Sequence, residues 1–88
     1  MSDEIARRRA EIAEQDRAIL DAMNARLRLV AELKTYKERA GIDFVDADQE
    51  ERLLRELANA NRGPLSARGL QQLFREILAL TKRELPDT

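Results

Sequence analysis

The sequence predicts an all-α fold, and two observations support that prediction. Hydrophobic residues make up 43% and charged residues 38% of the 88 residues, a balance typical of helical bundles and coiled coils. Aromatic residues make up only 3%, and glycine (3) and proline (2) are rare, so few positions break a helix or favour a strand. At this length we expect a single domain over residues 1–88.

The first predicted helix is very long and runs from about Asp3 to Ala40. Acidic residues in its first turn suit the positive end of the helix dipole, and Gly41 can adopt the left-handed conformation that ends a helix. Its apolar residues recur at spacings of seven, seven, four and seven. At about 100° per residue they form one narrow apolar stripe: Ile5, Ile12, Ile19, Met23 and Val30.

Two shorter helices follow a linker. Asp46 is a good N-cap for a helix over about 46–61, and Gln49, three residues later, completes a capping-box pattern. Ser66 is the N-cap candidate for a helix over about 66–85, which Pro86 ends. The side chains expected to be buried are Leu53, Leu54 and Leu57 in the second helix and Leu70, Leu73, Phe74, Ile77 and Leu78 in the third.

The length of the first helix indicates an assembly. The helix spans about 55 Å at 1.5 Å per residue, whereas a compact domain of this size is only about 30 Å across. Two short helices cannot cover such a rod, so its apolar stripe needs a partner, most simply a second copy of the chain. We therefore expect a homodimer of intertwined three-helix chains, with a flexible monomer as the alternative.

Composition argues against several classes of function. There are 16 basic and 17 acidic residues, so the net charge of −1 provides no field for nucleic acid or an anionic membrane. The lack of cysteine and histidine removes disulfides, thiol catalysis and the usual zinc ligands, and we expect neither a metal nor a cofactor. No signal peptide or run of about 18 apolar residues is present, so we expect a cytoplasmic protein.

Charged residues on the apolar stripe are the most informative ones. Lys37 lies about 20° and Arg26 about 40° from the centre of the stripe. Because burying an unpaired charge is costly, such groups either pair with each other or bind a charged ligand. Any one of them can be a structural ion pair, but inward polar groups on all three helices indicate a convergent pocket. On the shorter helices these groups are Asp46, Glu50, Thr81 and Glu84.

Arg9 extends this reasoning to the dimer. It lies about 25 Å along the helix from Arg26, too far to join a pocket of its own chain. In an antiparallel dimer the Arg9 end of one long helix reaches the middle of the other, so each of two equivalent pockets holds three cations. Three cations in a water-poor cleft suit a dicarboxylate, since guanidinium groups bind carboxylates through two hydrogen bonds.

These residues resemble the all-helical, AroQ-class chorismate mutases over nearly the whole chain. The matching segments are RRRAEIAEQDRAIL, ARLRLVAELKTYK, DADQE and GPLSARGLQQLFREI. The resemblance implies the chorismate mutase II fold, an intertwined homodimer, and the Claisen rearrangement of chorismate to prephenate on the route to phenylalanine and tyrosine. This unimolecular reaction requires no cofactor, only a restricted substrate conformer and electrostatic stabilisation of the ether oxygen.

The resemblance also implies roles for individual residues. Arg26 and the partner subunit's Arg9 would bind the two substrate carboxylates. Lys37 would contact the ether oxygen and a carboxylate. Glu50, together with the Asp46 region, would hold the ring hydroxyl, and a residue at the position of Thr81 would lie near the substrate.

Two substrate-binding positions, Gln49 and Leu85, depart from the family pattern. The family usually has arginine at the position of Gln49. At the position of Leu85 it has a glutamine or glutamate that donates to the ether oxygen. We expect Glu84, one residue before Leu85, to take over that catalytic role. A glutamate can donate only when protonated, so the rate should then decline as pH rises, and Glu84→Gln should flatten the profile.

Two other functions remain open. An isochorismate–pyruvate lyase on the same scaffold would use the same cations, although the acidic pair Asp46 and Glu50 favours the mutase. A non-catalytic or regulatory helical dimerisation module belongs to a different class. It predicts that Arg26→Ala and Lys37→Ala affect only stability.

Overall fold

The computed structural model describes residues 2–86, which form three helices and no strand. The helices are α1 (Ser2–Ala40), α2 (Ala47–Ala60) and α3 (Ala67–Glu84), so the predicted all-α fold is confirmed. The predicted ranges of α2 and α3 were longer because they included the flanking cap residues Asp46, Asn61, Ser66 and Leu85. No helix within the described residues is long and apolar enough to cross a bilayer.

The chain divides within α1 into two compact units, one up to Leu33 and the other from Lys34 onward. The first unit is a helix whose apolar stripe is largely exposed. Ile5 is 53%, Ile12 61% and Ile19 67% exposed, while Met23 and Val30 are half-buried. A row of exposed isoleucines on one side of a helix is the surface that the predicted dimer would cover.

The second unit is organised around the packing of α2 against α3. Leu54 of α2 and Leu70 of α3 are its buried apolar residues, at 9% and 6% exposure. The other predicted core residues are half-buried, except Leu73, which is 48% exposed, so the prediction that it is buried was wrong. Leu73 lies about 60° around α3 from Leu70, which takes it to the edge of the packed face.

The end of α1 fixes the start of the linker. Gly41 has a φ of +70°, which confirms the predicted left-handed residue. Its N–H donates to the carbonyl of Glu38 at 3.3 Å, and the N–H of Ile42 donates to the carbonyl of Lys37 at 2.9 Å. This pair of bonds is the Schellman motif, so the chain turns immediately after the last turn of α1, which contains Lys37.

Side chains cap the N-termini of both shorter helices, as predicted. Asp46 Oδ1 accepts from the N–H of Gln49 at 3.2 Å, and Ser66 Oγ accepts from the N–H of Gly69 at 2.9 Å. The capping box at α2 is only half formed, because Gln49 Oε1 accepts from Nε and Nη2 of Arg52 at 3.3 and 2.9 Å. The caps orient α2 and α3 at the ends where they meet the loops.

Candidate active site

A cleft of about 470 Å³ lies between the end of α1 and the beginning of α2, within the second unit. Its size falls in the range of pockets that bind small molecules. Its lining combines one basic residue with three acidic ones. The residues that line it include Lys37, Ile42, Asp43, Val45, Asp46 and Asp48.

Lys37 is half-buried and its ammonium is held by the linker. Nζ donates to the main-chain carbonyl of Phe44 at 3.2 Å and lies 5.9 Å from the centroid of the Phe44 ring. No carboxylate among residues 2–86 forms an ion pair with it. An ammonium bound to a neutral carbonyl keeps its charge available to an anionic ligand, which can replace that carbonyl as acceptor.

The acidic candidates have partners of their own. Asp46 lines the cleft while its side chain caps α2. Glu50, half-buried on the next turn of α2, places Oε1 3.1 Å from Nζ of Lys82 on α3. The side chains of this pair are 32% and 50% exposed, so the pair orients Glu50 while contributing at most about 1 kcal/mol. Sequence reasoning missed Lys82 because its pairing depends on the packing of α2 against α3.

At the C-terminal end of α3, Thr81 is buried, at 5% exposure, and its hydroxyl donates to the carbonyl of Ile77 at 2.7 Å. Leu85 is half-buried as the C-cap, and its N–H donates to the carbonyl of Thr81 at 3.0 Å. Glu84, the last residue of α3, is exposed. The half-buried residue after α3 therefore has an apolar side chain, and the adjacent acid lies on the surface.

Lys34 also reaches this end of α3, and sequence reasoning missed it. It is buried, at 9% exposure, and donates to the carbonyls of Leu85 at 3.0 Å and Pro86 at 2.7 Å. Its Nζ lies 5.7 Å from the centroid of the Phe44 ring. A signal existed, since Lys34 lies about 40° from the centre of the apolar stripe, the same angular distance as Arg26.

Three candidates remain: Arg9, Arg26 and Gln49. Arg9 is exposed and Arg26 half-buried, and both belong to the first unit. Gln49 is exposed at the start of α2 and bound to Arg52. Within the second unit, the structure brings Lys37 and Asp46 to one cleft and joins Glu50 to α3.

Comparison with known proteins identifies one family. A family model described as chorismate mutase type II matches residues 8–84. This range contains every candidate residue except Leu85. No curated protein and no solved structure gives a significant match to the chain.

Proposed function

The chain belongs to the chorismate mutase type II family, and from that premise we propose that it converts chorismate to prephenate. The observation that carries the proposal is the environment of Lys37. Lys37 lines a cleft of small-molecule size, and its ammonium is held by a main-chain carbonyl instead of a carboxylate. Since the reaction belongs to phenylalanine and tyrosine biosynthesis, the proposal assigns the enzyme to the cytoplasm.

The charge distribution supports a ligand with an anionic end and a hydroxylated end. Lys37 serves the anionic end, and Arg26 with the partner subunit's Arg9 binds the two carboxylates. The acidic residues serve the hydroxylated end of the ligand, where Glu50 and the Asp46 region accept a hydrogen bond from the ring hydroxyl. Asp46 lies in the same cleft as Lys37, and Lys82 holds Glu50 in one orientation.

The rearrangement needs few chemical groups from the protein. The ether C–O bond breaks as a C–C bond forms within the same molecule, and no proton, electron or group enters or leaves. The site therefore holds the compact reactive conformer and stabilises the negative charge that develops on the ether oxygen. Lys37 supplies that stabilisation by turning an N–H from the Phe44 carbonyl to the substrate.

The exposed stripe of α1 supports the participation of a second chain. Ile5, Ile12 and Ile19 are each more than half exposed, which is unfavourable for a row of large apolar side chains. A second copy that covers this row brings its own Arg9, which lies on the same helix, into the assembly. The proposed site is thus completed only in the homodimer.

The direct test follows the loss of chorismate absorbance and the appearance of prephenate with the purified protein. We expect turnover by the parent, and a kcat lower by about 10²-fold or more in Lys37→Ala, the usual cost of removing one donor to a developing oxyanion. Arg39→Ala is the matched control, because it removes a positive charge from the same last turn of α1 at an exposed position. A parent that leaves chorismate unchanged, or a Lys37→Ala variant as fast as the parent, would contradict the proposal.

The same assay separates the alternatives. An isochorismate–pyruvate lyase would release pyruvate from isochorismate in preference to rearranging chorismate. The acidic pair Asp46 and Glu50, suited to a ring hydroxyl, favours the mutase. A non-catalytic dimerisation module would consume neither substrate, and its Lys37→Ala variant would differ from the parent only in stability.

A further inference from the structure

We propose that Phe44 is a positioning residue, whose ring holds the ammonium of Lys37 in place while the N–H groups of that ammonium turn to the substrate. The inference rests on the proposed mutase reaction and adds to it the residue that orients Lys37. It starts from a linker residue that contacts this ammonium through both its main chain and its side chain.

Three contacts bind Lys37 to the linker after α1. Its main-chain carbonyl accepts from the N–H of Ile42 at 2.9 Å. Its Nζ donates to the carbonyl of Phe44 at 3.2 Å and lies 5.9 Å from the centroid of the Phe44 ring. The linker therefore determines the position of the ammonium as well as the end of the helix.

The two contacts of Phe44 with the ammonium differ in what they leave for a ligand. The carbonyl occupies one of the three N–H groups of Lys37, so this hydrogen bond is lost when that N–H turns to the substrate. The ring attracts the positive charge through its electron-rich face and occupies no N–H group. The ring can therefore hold the ammonium both before the substrate binds and while the C–O bond breaks.

The ring of Phe44 is itself held within the second unit. Phe44 is half-buried, and its ring centroid also lies 5.7 Å from Nζ of Lys34. Lys34 is buried and donates to the carbonyls of Leu85 and Pro86. These contacts join the ring to α1 and to the segment after α3, so the ring presents a fixed surface to Lys37.

The residues on either side of Phe44 show that it acts through the lysine. Asp43 and Val45 both line the cleft, as does Lys37. The ring of Phe44 contacts the ammonium of Lys37 instead. Phe44 is therefore assigned to positioning, and contact with the substrate is left to Lys37.

The position of this ammonium matters because the proposed catalysis is electrostatic. Negative charge grows on the ether oxygen as the C–O bond breaks, and a donor stabilises that charge only from the right distance and direction. Lysine has a flexible four-carbon stem, so an ammonium without a fixed contact samples many positions. The ring reduces these positions before the substrate arrives.

A purely structural role for Phe44, as an apolar anchor of the linker, is the competing explanation. Phe44→Leu and Phe44→Met keep an apolar side chain and the main-chain carbonyl but remove the aromatic face. Phe44→Tyr keeps that face. Phe74→Leu is the matched control, because Phe74 is also half-buried and its ring makes no cation–π contact among residues 2–86.

The experiment measures kcat, KM and thermal unfolding of these variants, and repeats Phe44→Leu in the Lys37→Ala background. We expect Phe44→Leu and Phe44→Met to lower kcat by about 3- to 30-fold, as for the loss of one cation–π contact, with KM within about twofold of the parent. Phe44→Tyr and Phe74→Leu should keep kcat within about twofold. In the Lys37→Ala background, Phe44→Leu should lower kcat no further, because the ammonium that it positions is gone.

Three results would overturn the assignment. One is parental kcat in a folded Phe44→Leu, or in Phe44→Met should the leucine variant fail to fold. Another is a folded Phe44→Tyr as slow as Phe44→Leu. The third is an equal loss of kcat with and without Lys37, which would leave Phe44 as an anchor. An inactive parent would instead refute the proposed mutase activity and with it any catalytic role of Phe44, so the two failures are distinguishable.

Discussion

Truncation of Ile12 tests whether the exposed stripe of α1 is a dimer interface. Ile12 is 61% exposed within the chain. Full burial of an isoleucine side chain contributes about 1.5–3 kcal/mol, so covering the exposed part contributes about 1–2 kcal/mol per chain. An isologous dimer contains the residue twice, which makes the loss in Ile12→Ala about 2–4 kcal/mol per dimer.

That loss corresponds to a dimer dissociation constant about 30- to 700-fold weaker, since each 1.4 kcal/mol is a factor of ten. Sedimentation equilibrium over a dilution series measures this constant for the parent and the variant. Glu14→Ala serves as the control, because Glu14 is exposed on the same helix about 160° around from Ile12. The reasoning is refuted if the parent is monomeric at micromolar concentration, or if Ile12→Ala dissociates at the same concentrations as Glu14→Ala.

Three further substitutions test the surroundings of the site. Gly41→Ala should lower the free energy of unfolding by about 1–2 kcal/mol in urea titration, because the φ of +70° at this position disfavours any Cβ. The added Cβ would meet no atom within 4 Å, so the loss comes from the backbone conformation, and an unchanged unfolding midpoint would refute this. Lys82→Met should raise KM by about two- to fivefold with kcat near that of the parent, since it releases Glu50 from a partly exposed ion pair; a large fall in kcat would contradict it. Because Glu84 is exposed, Glu84→Gln should leave the shape of the pH–rate profile unchanged, whereas a parental rate that declines with rising pH and flattens in this variant would place Glu84 in the mechanism.

Features set by local sequence could be predicted. The ends of the helices could be identified because caps depend on a few adjacent residues. Gly41 follows the long apolar stripe of α1, and Asp46 and Ser66 precede the apolar runs of α2 and α3. The inward angle of Lys37 followed from helical periodicity alone, and in the structure Lys37 lines a cleft.

Features set by packing could not be predicted. The helical angle of Lys34 was available, but its hydrogen bonds go to the carbonyls of Leu85 and Pro86, which only the packed end of α3 brings near. Phe44 lies in the linker, whose path no periodic pattern specifies, yet it contacts both lysines. The pairing of Lys82 with Glu50 likewise joins residues 32 positions apart in the sequence.

Subunit complementation tests the shared active site most directly. Arg9→Ala and Lys37→Ala are each expected to be nearly inactive as homodimers. In a heterodimer of the two chains, one site contains both substitutions, while the other contains an intact Arg9 from one chain and an intact Lys37 from the other. Random pairing makes about half of the dimers mixed, so refolding equal amounts together should restore about a quarter of the parental chorismate mutase activity. A mixture no faster than the two separate variants would contradict a site completed by Arg9 across the dimer.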